Sequence, residues 1–507
     1  MRLYHLDLKI AMFRQDYLRD FFARLKIAGF DGVVIEIDNK LIFPSQPHFA
    51  AADALTADAW RDLVRYGKRL GLVIYPLLQT LGHMEHILRH EPYGCLAENV
   101  GNAYMLCPSK NESLRLVKDL VRDVFAAFDQ PPVIHLGGDE VLGHLERRGL
   151  HLCPLCRTRD AGELVVGFLL ELADFCLKLG CRPEFWADEI LTYPRQFGRF
   201  PQETRFVDWY YRRTQATGDT IGHIWGALRL AGEPAGESAW ANLPERLRVL
   251  LPDLVRDGRF NHFYGASAIA RYGYQAVVGS ALRSSGDHYA LPRVSLSAGN
   301  VAVSDTVARE AGYDHLVTSW AVRLSHPETT WIALSDEALG PLSAEQRGWL
   351  DTVGHGLGGM DILAEQPMRF ERPFHGGLDQ ALHVLANSPD RDAAVRLLQE
   401  REQAGGLLLP VLNENLEKGA GDSHCLRHWL LGTELAVLRA RQTLALLGMY
   451  RSGIDRPALE RLLEQNQALL QRFVRLWSES VTPESLDQEC EIKFRRDIRL
   501  LENLLCR

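Results

Sequence analysis

The sequence predicts a (β/α)8 barrel followed by an α-helical C-terminal domain. Over residues 1–338, about eight short apolar segments alternate with segments of helical spacing, as in a parallel sheet covered on both faces. About eight such units fit a closed barrel better than an open doubly wound sheet, which is the structural alternative. From about Leu342 the spacing is helical with almost no strand signal. We therefore expect a barrel over 1–338 and a helical domain over 339–507.

The predicted strands are short and mostly apolar; in the second, GVVIEI, the only polar side chain is that of Glu36. We expect the C-terminal helices to buttress the barrel or form a dimer interface rather than to carry chemistry. The strands are predicted at Leu3–Leu8, Gly32–Ile37, Leu72–Leu77, Pro132–Leu136, Glu184–Ala187, Arg205–Trp209, His262–Ala266 and His315–Ser319. The helices are predicted at Asp16–Ala28, Asp58–Leu70, Glu112–Phe128, Glu163–Leu179, Ala381–Ala386, Asp392–Gln403, Ser423–Leu447, Arg456–Trp477 and Pro483–Leu505.

Composition narrows the class of protein. With 507 residues the chain exceeds the length of about 250–300 at which a single core usually stops growing. A net charge of −8 argues against nucleic-acid or anionic-membrane partners and leaves a neutral sugar open. The start, MRLYHLDLKI, has strand alternation rather than the pattern of a secretion signal, and nine cysteines are an odd number for a disulfide framework. We therefore expect a reduced, cytoplasmic protein.

Two adjacent acids follow the fourth predicted strand, in Gly137-Gly138-Asp139-Glu140. In a barrel of this kind, reactive groups lie at the C-terminal ends of the strands. The glycines permit a sharp turn and close approach of a ligand. Glycoside hydrolysis needs a protonated carboxyl group, and a neighbouring carboxylate raises the pKa of such an acid. Paired acids also occur near helix N-termini for electrostatic reasons, so the surrounding residues must decide.

Aromatic residues stand at four other strand ends, and they favour a sugar site. A single Trp there more often fills the core, but several at one opening suit the apolar C–H faces of sugar rings. The aromatic residues are Trp186, Trp209, Tyr264 and Trp320, with Tyr210 and Tyr211 directly after the sixth strand. Polar residues accompany them: His5, Asp7 and Lys9 on the first strand, Gln79 to His83 after the third, and Asp188 and Glu189 after the fifth.

Together these residues resemble glycoside hydrolase family 20, in the branch that includes hexosaminidase D. IHLGGDEV (Ile134–Val141) matches the H-x-G-x-D-E signature of the family. The other similar stretches are His5–Lys9, Tyr75–Tyr93, Phe185–Leu191, Val317–His326 and, more weakly, Phe263–Ala268. They follow the family's order along the predicted barrel. The C-terminal region is similar only in being helical.

The resemblance implies an exo-acting retaining β-N-acetylhexosaminidase that works by substrate assistance, in which the 2-acetamido group of the substrate is the nucleophile. Glu140 would protonate the departing oxygen and then deprotonate water. Asp139 would accept a hydrogen bond from the acetamido N–H. Tyr211, or alternatively Tyr210, would donate to the acetamido oxygen. No cofactor and no metal is implied.

The resemblance also implies roles around these groups. His83 would hydrogen-bond near Glu140, and Asp7 would orient His83. Sugar hydroxyls would be bound by Asp188 and Glu36. The pocket walls would be Trp186 and Trp320, with Trp209 and Tyr264 as further walls. We expect a partner that is an N-acetylhexosamine glycoside or glycoconjugate, no nucleic acid or membrane partner, and a possible homodimer.

Two segments depart from the family pattern. The stretch IEIDNKLIFP, after the second strand, is longer than the related E-Y-E-D-x-F-P pattern. The difference leaves the roles of Glu36 and Asp38 open. DWYY stands where relatives show W-D-Y, which leaves the choice between glucosaminide and galactosaminide open. Two other functions are alternatives: a non-catalytic sugar-binding barrel, and a two-carboxylate glycosidase with Asp188 or Glu189 as nucleophile.

A CxxC pair, Cys153 and Cys156, has the spacing of zinc and redox sites. A structural zinc needs two more ligands, and the near candidates in the sequence are His144 and His151. A plain loop is the favoured interpretation.

Overall fold

A computed structural model describes residues 1–99, 101–141, 152–222, 224, 245–284, 286–321, 325–335, 338, 358–364, 382, 385–389 and 391–506. Eight strands close into a barrel in which each strand lies beside its neighbours in chain order. The pairs from β1/β2 to β6/β7 are parallel. The predicted closed barrel is confirmed. The strands are β1 (Arg2–Asp7), β2 (Gly32–Glu36), β3 (Val73–Leu77), β4 (Val133–His135), β5 (Arg182–Trp186), β6 (Arg205–Trp209), β7 (Gln275–Arg283) and β8 (Asp314–Ser319).

The register of the first four strands brings polar side chains to one level. Asp7 pairs with Glu36, Glu36 with Leu77, and Leu77 with His135. These residues end or nearly end their strands, so the loops that follow open on the same side of the barrel. The main helices between the strands are Gln15–Ile27, Ala57–Arg69, Asn111–Ala127, Ala161–Leu179, Tyr264–Arg271 and Val294–Ala311. The short helices and 3-10 turns are Pro47–Phe49, Glu85–Leu88, Glu91–Gly94, Asp188–Thr192, Pro194–Arg199, Glu245–Leu250 and Pro327–Ala333.

The predicted seventh strand, His262–Ala266, is wrong. Tyr264–Arg271 is a helix, and the seventh strand is Gln275–Arg283, nine residues with the sequence QAVVGSALR. The helix begins there because the buried Asp208 carboxylate accepts a hydrogen bond from the Ala266 backbone N–H at 3.0 Å, which satisfies a donor at the helix start. Tyr264 therefore lies at the beginning of a helix and not at a strand end.

Two small sheets outside the barrel were not predicted. Ala97–Asn99 and Asn102–Leu106 form a hairpin, which we call the β-hairpin below. Thr217–Gly218, Val255–Arg256 and Arg259–Asn261 form a three-stranded sheet. Their strands have two to five residues, too few for a clear alternation of apolar and polar side chains.

The chain divides into two compact units. The first comprises Met1–Lys9, Leu18–Ser280 and Ala302–Thr318, and the second Ile10–Tyr17, Ala281–Val301 and Ser319–Arg507. The domain boundary between 338 and 339 stays a prediction.

The C-terminal part of the second unit is helical, as expected. The predicted helix Pro483–Leu505 is interrupted by a π-helical turn, Glu491–Arg495. Of the predicted helix Ala381–Ala386, residues 381, 383 and 384 lie outside the described residues. No helix among the described residues combines the length and the apolar character needed to cross a membrane. The helices are Gly358–Ala364, Arg391–Glu417, Ser423–Ser452, Arg456–Trp477, Pro483–Cys490 and Arg496–Leu505.

Candidate active site

The turn after β4 presents two acids in different environments. Gly137 and Gly138 have φ values of 62° and 85°, a backbone region that favours glycine. A Cβ on Gly137 would lie 2.1 Å from Oε1 of Gln79, so a larger residue would also displace that side chain. Asp139 is 6% exposed, whereas the Glu140 side chain is 35% exposed. The turn therefore buries one carboxylate and leaves the next one accessible.

Glu140 itself has a φ of 47°, a strained conformation for a residue with a side chain. Such strain persists only where the surroundings enforce it. Here the backbone N–H of Glu140 donates to Asp188 Oδ2 at 2.9 Å, and its carbonyl accepts from the hydroxyl of Tyr104 at 3.0 Å. The peptide groups on both sides of the Glu140 Cα are therefore held.

His83 joins the two acids. Its Nε2 is 3.2 Å from Asp139 Oδ2 and 3.6 Å from Glu140 Oε2. Burial lowers the pKa of His83, but the charge and hydrogen bonds of the two carboxylates outweigh it, so the pKa lies well above its ordinary value. The predicted approach of His83 to Glu140 is present. The Asp7 carboxylate accepts a hydrogen bond from the backbone N–H of Lys9 at 2.8 Å, and its role in orienting His83 stays a prediction.

Tyr104 is a site residue that the sequence analysis missed. The β-hairpin carries it beside His83, with its hydroxyl 3.3 Å from His83 Nε2 and the two rings in an edge-to-face arrangement. The same hydroxyl reaches the Glu140 carbonyl. Tyr104 therefore helps to position both the general-acid candidate and the histidine beside it.

Asp188 positions the site from the opposite side. It is 3% exposed, and its second oxygen, Oδ1, accepts a hydrogen bond from Trp209 Nε1 at 3.2 Å. Burial, followed by the charges of Asp139 and Glu189, raises the pKa of Asp188 well above its usual range. Since protein donors engage both oxygens, these contacts hold Glu140 and Trp209 in place. Binding of a sugar hydroxyl by Asp188 stays a prediction.

The two candidate tyrosines lie in different surroundings. Tyr211 stacks on Trp209, with ring centroids 5.1 Å apart and planes inclined by 28°, so it connects through Asp188 to Glu140. Tyr210 instead lines a cavity of about 200 Å³ together with Tyr264. The other lining residues are Arg212, Arg213, Thr220, Ile221, Gly222 and His262.

Trp186 and Trp320, the two main predicted walls of the sugar pocket, lie in different parts of the structure. Trp186 is buried at the end of β5, with its ring 4.5 Å from that of His135. Trp320 directly follows β8 and belongs to the second compact unit. Its backbone N–H donates to the backbone carbonyl of Arg283 at 3.4 Å. For both, contact with a sugar stays a prediction.

Glu36 is held entirely within the barrel. Its carboxylate contacts His5 Nε2 at 3.0 Å, Lys9 Nζ at 2.9 Å and Gln79 Nε2 at 3.1 Å. Burial raises the pKa of Glu36, but Lys9 and His5 outweigh it, so the pKa lies below its ordinary value. Burial also raises the pKa of Asp38, which lies 3.9 Å from Lys9. The hydroxyl-binding role of Glu36 stays a prediction.

One carboxylate oxygen of Asp139 lacks a hydrogen-bond partner among the described residues. Oδ1 of Asp139 is buried and accepts no hydrogen bond within the part of the chain that the structure describes. A buried carboxylate oxygen without a donor is costly, so such an atom is a natural place for a ligand N–H or O–H.

Known proteins are similar to this chain in sequence. Residues 44–220 match the family described as glycosyl hydrolase family 20, catalytic domain. The family 20 resemblance is confirmed. The matched segment contains His83, Tyr104, Asp139, Glu140 and Asp188. The chain is also 34% identical to hexosaminidase D of Bos taurus over 144 residues, 28% of this chain and 41% of that protein.

One further relative and one solved structure are similar to the chain. Hexosaminidase D of Homo sapiens is 31% identical over 155 residues, 30% of this chain and 32% of that protein. The match thus spans less than half the length of either hexosaminidase D. A solved structure, the chitobiase of Flavobacterium johnsoniae, is 16% identical with a TM-score of 0.46, and the match covers 99% of this chain and 78% of that one.

Proposed function

We propose that this protein is an exo-acting retaining β-N-acetylhexosaminidase that removes terminal β-linked GlcNAc or GalNAc by substrate-assisted catalysis. The observation that carries the proposal is the buried, unpartnered Oδ1 of Asp139 beside an accessible Glu140. An acetamido N–H would satisfy that oxygen. By accepting this hydrogen bond, the Asp139 carboxylate would stabilise the positive charge that develops on the acetamido group when its oxygen attacks the anomeric carbon.

Glu140 acts as the general acid and then as the general base. It gives a proton to the departing oxygen as the oxazolinium ring closes, and it takes a proton from water as that ring opens. His83, whose pKa the two carboxylates raise, lies 3.6 Å from Glu140, and the Tyr104 hydroxyl donates to the Glu140 carbonyl. Tyr211, stacked on Trp209, donates to the acetamido oxygen.

Two observations argue against the alternative of an enzymatic carboxylate nucleophile. Asp188 accepts hydrogen bonds from Glu140 N and Trp209 Nε1, so its oxygens already have partners. Glu189 is 2% exposed. Neither side chain is available to attack an anomeric carbon without a rearrangement. The cytoplasmic location and the homodimer expected from the sequence stay predictions.

The test of the general acid compares two leaving groups. We expect Glu140→Gln to lower kcat/KM by about 10²–10⁴-fold on a β-N-acetylglucosaminide or galactosaminide with a sugar aglycone. The loss should be smaller on a nitrophenyl aglycone, which departs with little protonation. Equal, small losses on both substrates would remove Glu140 from its role.

The test of substrate assistance changes the nucleophile instead of the protein. Successive fluorine atoms on the acetamido methyl group make its oxygen less nucleophilic, so kcat should fall with each one. A thiazoline analogue should inhibit competitively, because the pocket complements the bicyclic intermediate. Rates that ignore fluorination, together with a trapped covalent glycosyl-enzyme, would favour a two-carboxylate glycosidase. Binding without turnover of any N-acetylhexosaminide would favour a sugar-binding protein.

A further inference from the structure

Four potential metal ligands meet beside the β-hairpin. Glu98 lies on its first strand, Cys107 directly follows its second strand, and Cys153 and Cys156 precede the helix Ala161–Leu179. One carboxylate oxygen and the three Sγ atoms all lie within 4.8 Å of one another. Cys107 is 46 residues from Cys153 in sequence, so the fold and not local spacing creates this group.

The sulfur separations suit a tetrahedral metal. Cys107 Sγ is 3.6 Å from both Cys153 Sγ and Cys156 Sγ. Two thiolates bound to Zn²⁺ at about 2.3 Å, with a tetrahedral angle between them, stand roughly 3.8 Å apart. A disulfide would bring the sulfurs to about 2.05 Å. The spacing therefore matches shared coordination of one ion better than a sulfur–sulfur bond.

Burial and an unpartnered oxygen point to the same conclusion. Glu98 is 1% exposed, and Cys107 and Cys156 are fully buried. Glu98 Oε1 accepts from the backbone N–H of Cys153 at 2.8 Å, but its buried Oε2 has no hydrogen-bond partner among the described residues. An isolated buried carboxylate among apolar groups is costly, and a metal ion would offset that cost.

Neighbouring polar groups provide support of the kind that metal sites need. Ser109 Oγ lies 3.1 Å from Cys156 Sγ, and Arg159 Nη1 donates to Ser109 Oγ at 3.2 Å. A hydroxyl that donates to a thiolate, with a guanidinium behind it, would reduce the negative charge of three thiolates and a carboxylate around one dication.

We propose that Glu98, Cys107, Cys153 and Cys156 bind one Zn²⁺ ion in a closed structural site. Four protein ligands leave no open position for water or substrate, which separates this site from a catalytic zinc. Binding requires the three thiols to lose their protons to solvent. The ion would fasten the β-hairpin, and with it Tyr104, to the turn that contains Cys153 and Cys156. His144 and His151, the ligand candidates named from the sequence, lie outside the described residues.

The first measurement is the metal content of the full chain purified in reducing buffer. We expect one zinc per chain by elemental mass spectrometry, and after exchange a cobalt form with the thiolate charge-transfer band of a tetrahedral site. Chelation should lower the thermal unfolding temperature, and added zinc should restore it. Absence of metal after zinc loading, bound iron, or a disulfide between two of these cysteines would overturn the proposal.

Variants assign the ligands. Cys107→Ser and Glu98→Gln should lower zinc affinity, and Cys95→Ser is the matched control because Cys95 is an exposed cysteine on the same segment. The control should keep one zinc per chain. Should Cys107→Ser fail to fold, the metal content of the parent and of Glu98→Gln still decides the question. Full zinc occupancy and unchanged affinity in both ligand variants would contradict the assignment.

Discussion

Two buried carboxylates in the same barrel differ in how their oxygens are used. Glu184, on β5, accepts from the hydroxyl of Tyr75 at 3.0 Å and from Arg205 Nε at 2.7 Å, so each oxygen has a donor. Asp139, beyond the end of β4, has His83 on one oxygen and no hydrogen-bond donor on the other among the described residues. Both are at least nine-tenths buried.

The difference separates a structural acid from a functional one. Arg205 begins β6 and also reaches Asp314 at the start of β8, at 3.0 Å, so the charges around Glu184 compensate one another. At Asp139 the protein leaves a costly oxygen unsatisfied. A group of this kind is expected where a ligand supplies the missing donor, and a structural group is expected where the protein supplies all of them.

The largest effect on stability should come from Glu184→Gln. The substitution removes the Glu184 charge and leaves the buried Arg205 paired with Asp314. Breaking a buried ion pair costs about 3–5 kcal/mol. We expect a loss near 3 kcal/mol of unfolding free energy, because Asp314 remains, measured by urea denaturation. The folded fraction should keep its kcat. A variant as stable as the parent would show that this network is not structural.

Asp139→Asn should give the opposite result. We expect kcat/KM to fall by about 10²–10³-fold. The acetamido N–H would lose its anionic acceptor, and the positive charge that develops on the acetamido group would be less stabilised. The unfolding free energy should stay near that of the parent, because removing a poorly satisfied buried charge offsets the lost contact with His83. Kinetics and urea denaturation on one preparation would check both. A large loss of stability with normal kcat would mean that Asp139 is structural too.

The acid pair could be predicted from sequence because its signal is local. A buried strand, two glycines and two acids follow one another directly in the sequence. The periodicity of apolar residues likewise predicted most of the barrel strands. The seventh strand was missed because QAVVGSALR mixes small and polar residues into its apolar pattern. The segment His262–Ala266 was predicted as a strand instead, although the Asp208 carboxylate accepts a hydrogen bond at the start of a helix there.

Long-range contacts could not be predicted. Tyr104 reaches Glu140 from a strand of five residues, 36 positions away in sequence. Cys107 and Glu98 approach the CxxC pair only because the β-hairpin folds back onto that loop. Nor could the sequence distinguish Tyr210 from Tyr211, since adjacent residues differ in surroundings only once the chain beyond β6 is placed.

The two tyrosines sharpen the comparison, because Tyr211 stacks on Trp209, which donates to Asp188 in the acid cluster. Tyr211→Phe should lower kcat/KM by about 10²-fold, as expected for a lost hydrogen-bond donor to the acetamido oxygen. Tyr210→Phe is the matched control at the neighbouring position, where the side chain lines a cavity with Tyr264, and it should keep a rate near that of the parent. The reverse order of the two effects would assign the donor to Tyr210.

The smallest effect concerns His83 and the pH dependence of stability. The pKa of His83 in the folded protein is raised above the value of about 6.5 expected in the unfolded chain. Its stabilising contribution is therefore fully present below about pH 6.5 and is lost as the pH rises through the folded-state pKa. The contribution is about 1.4 kcal/mol for each unit by which the pKa is raised.

His83→Gln should remove that dependence. The difference in unfolding free energy between parent and variant should be constant below about pH 6.5 and should shrink at higher pH. His48→Gln, at an exposed histidine, is the control and should follow the parent curve. If the parent and His83→Gln curves ran parallel across this range, the carboxylates of Asp139 and Glu140 would not hold a proton on His83. The acid cluster would then resemble the compensated network around Glu184 more than a site prepared for catalysis.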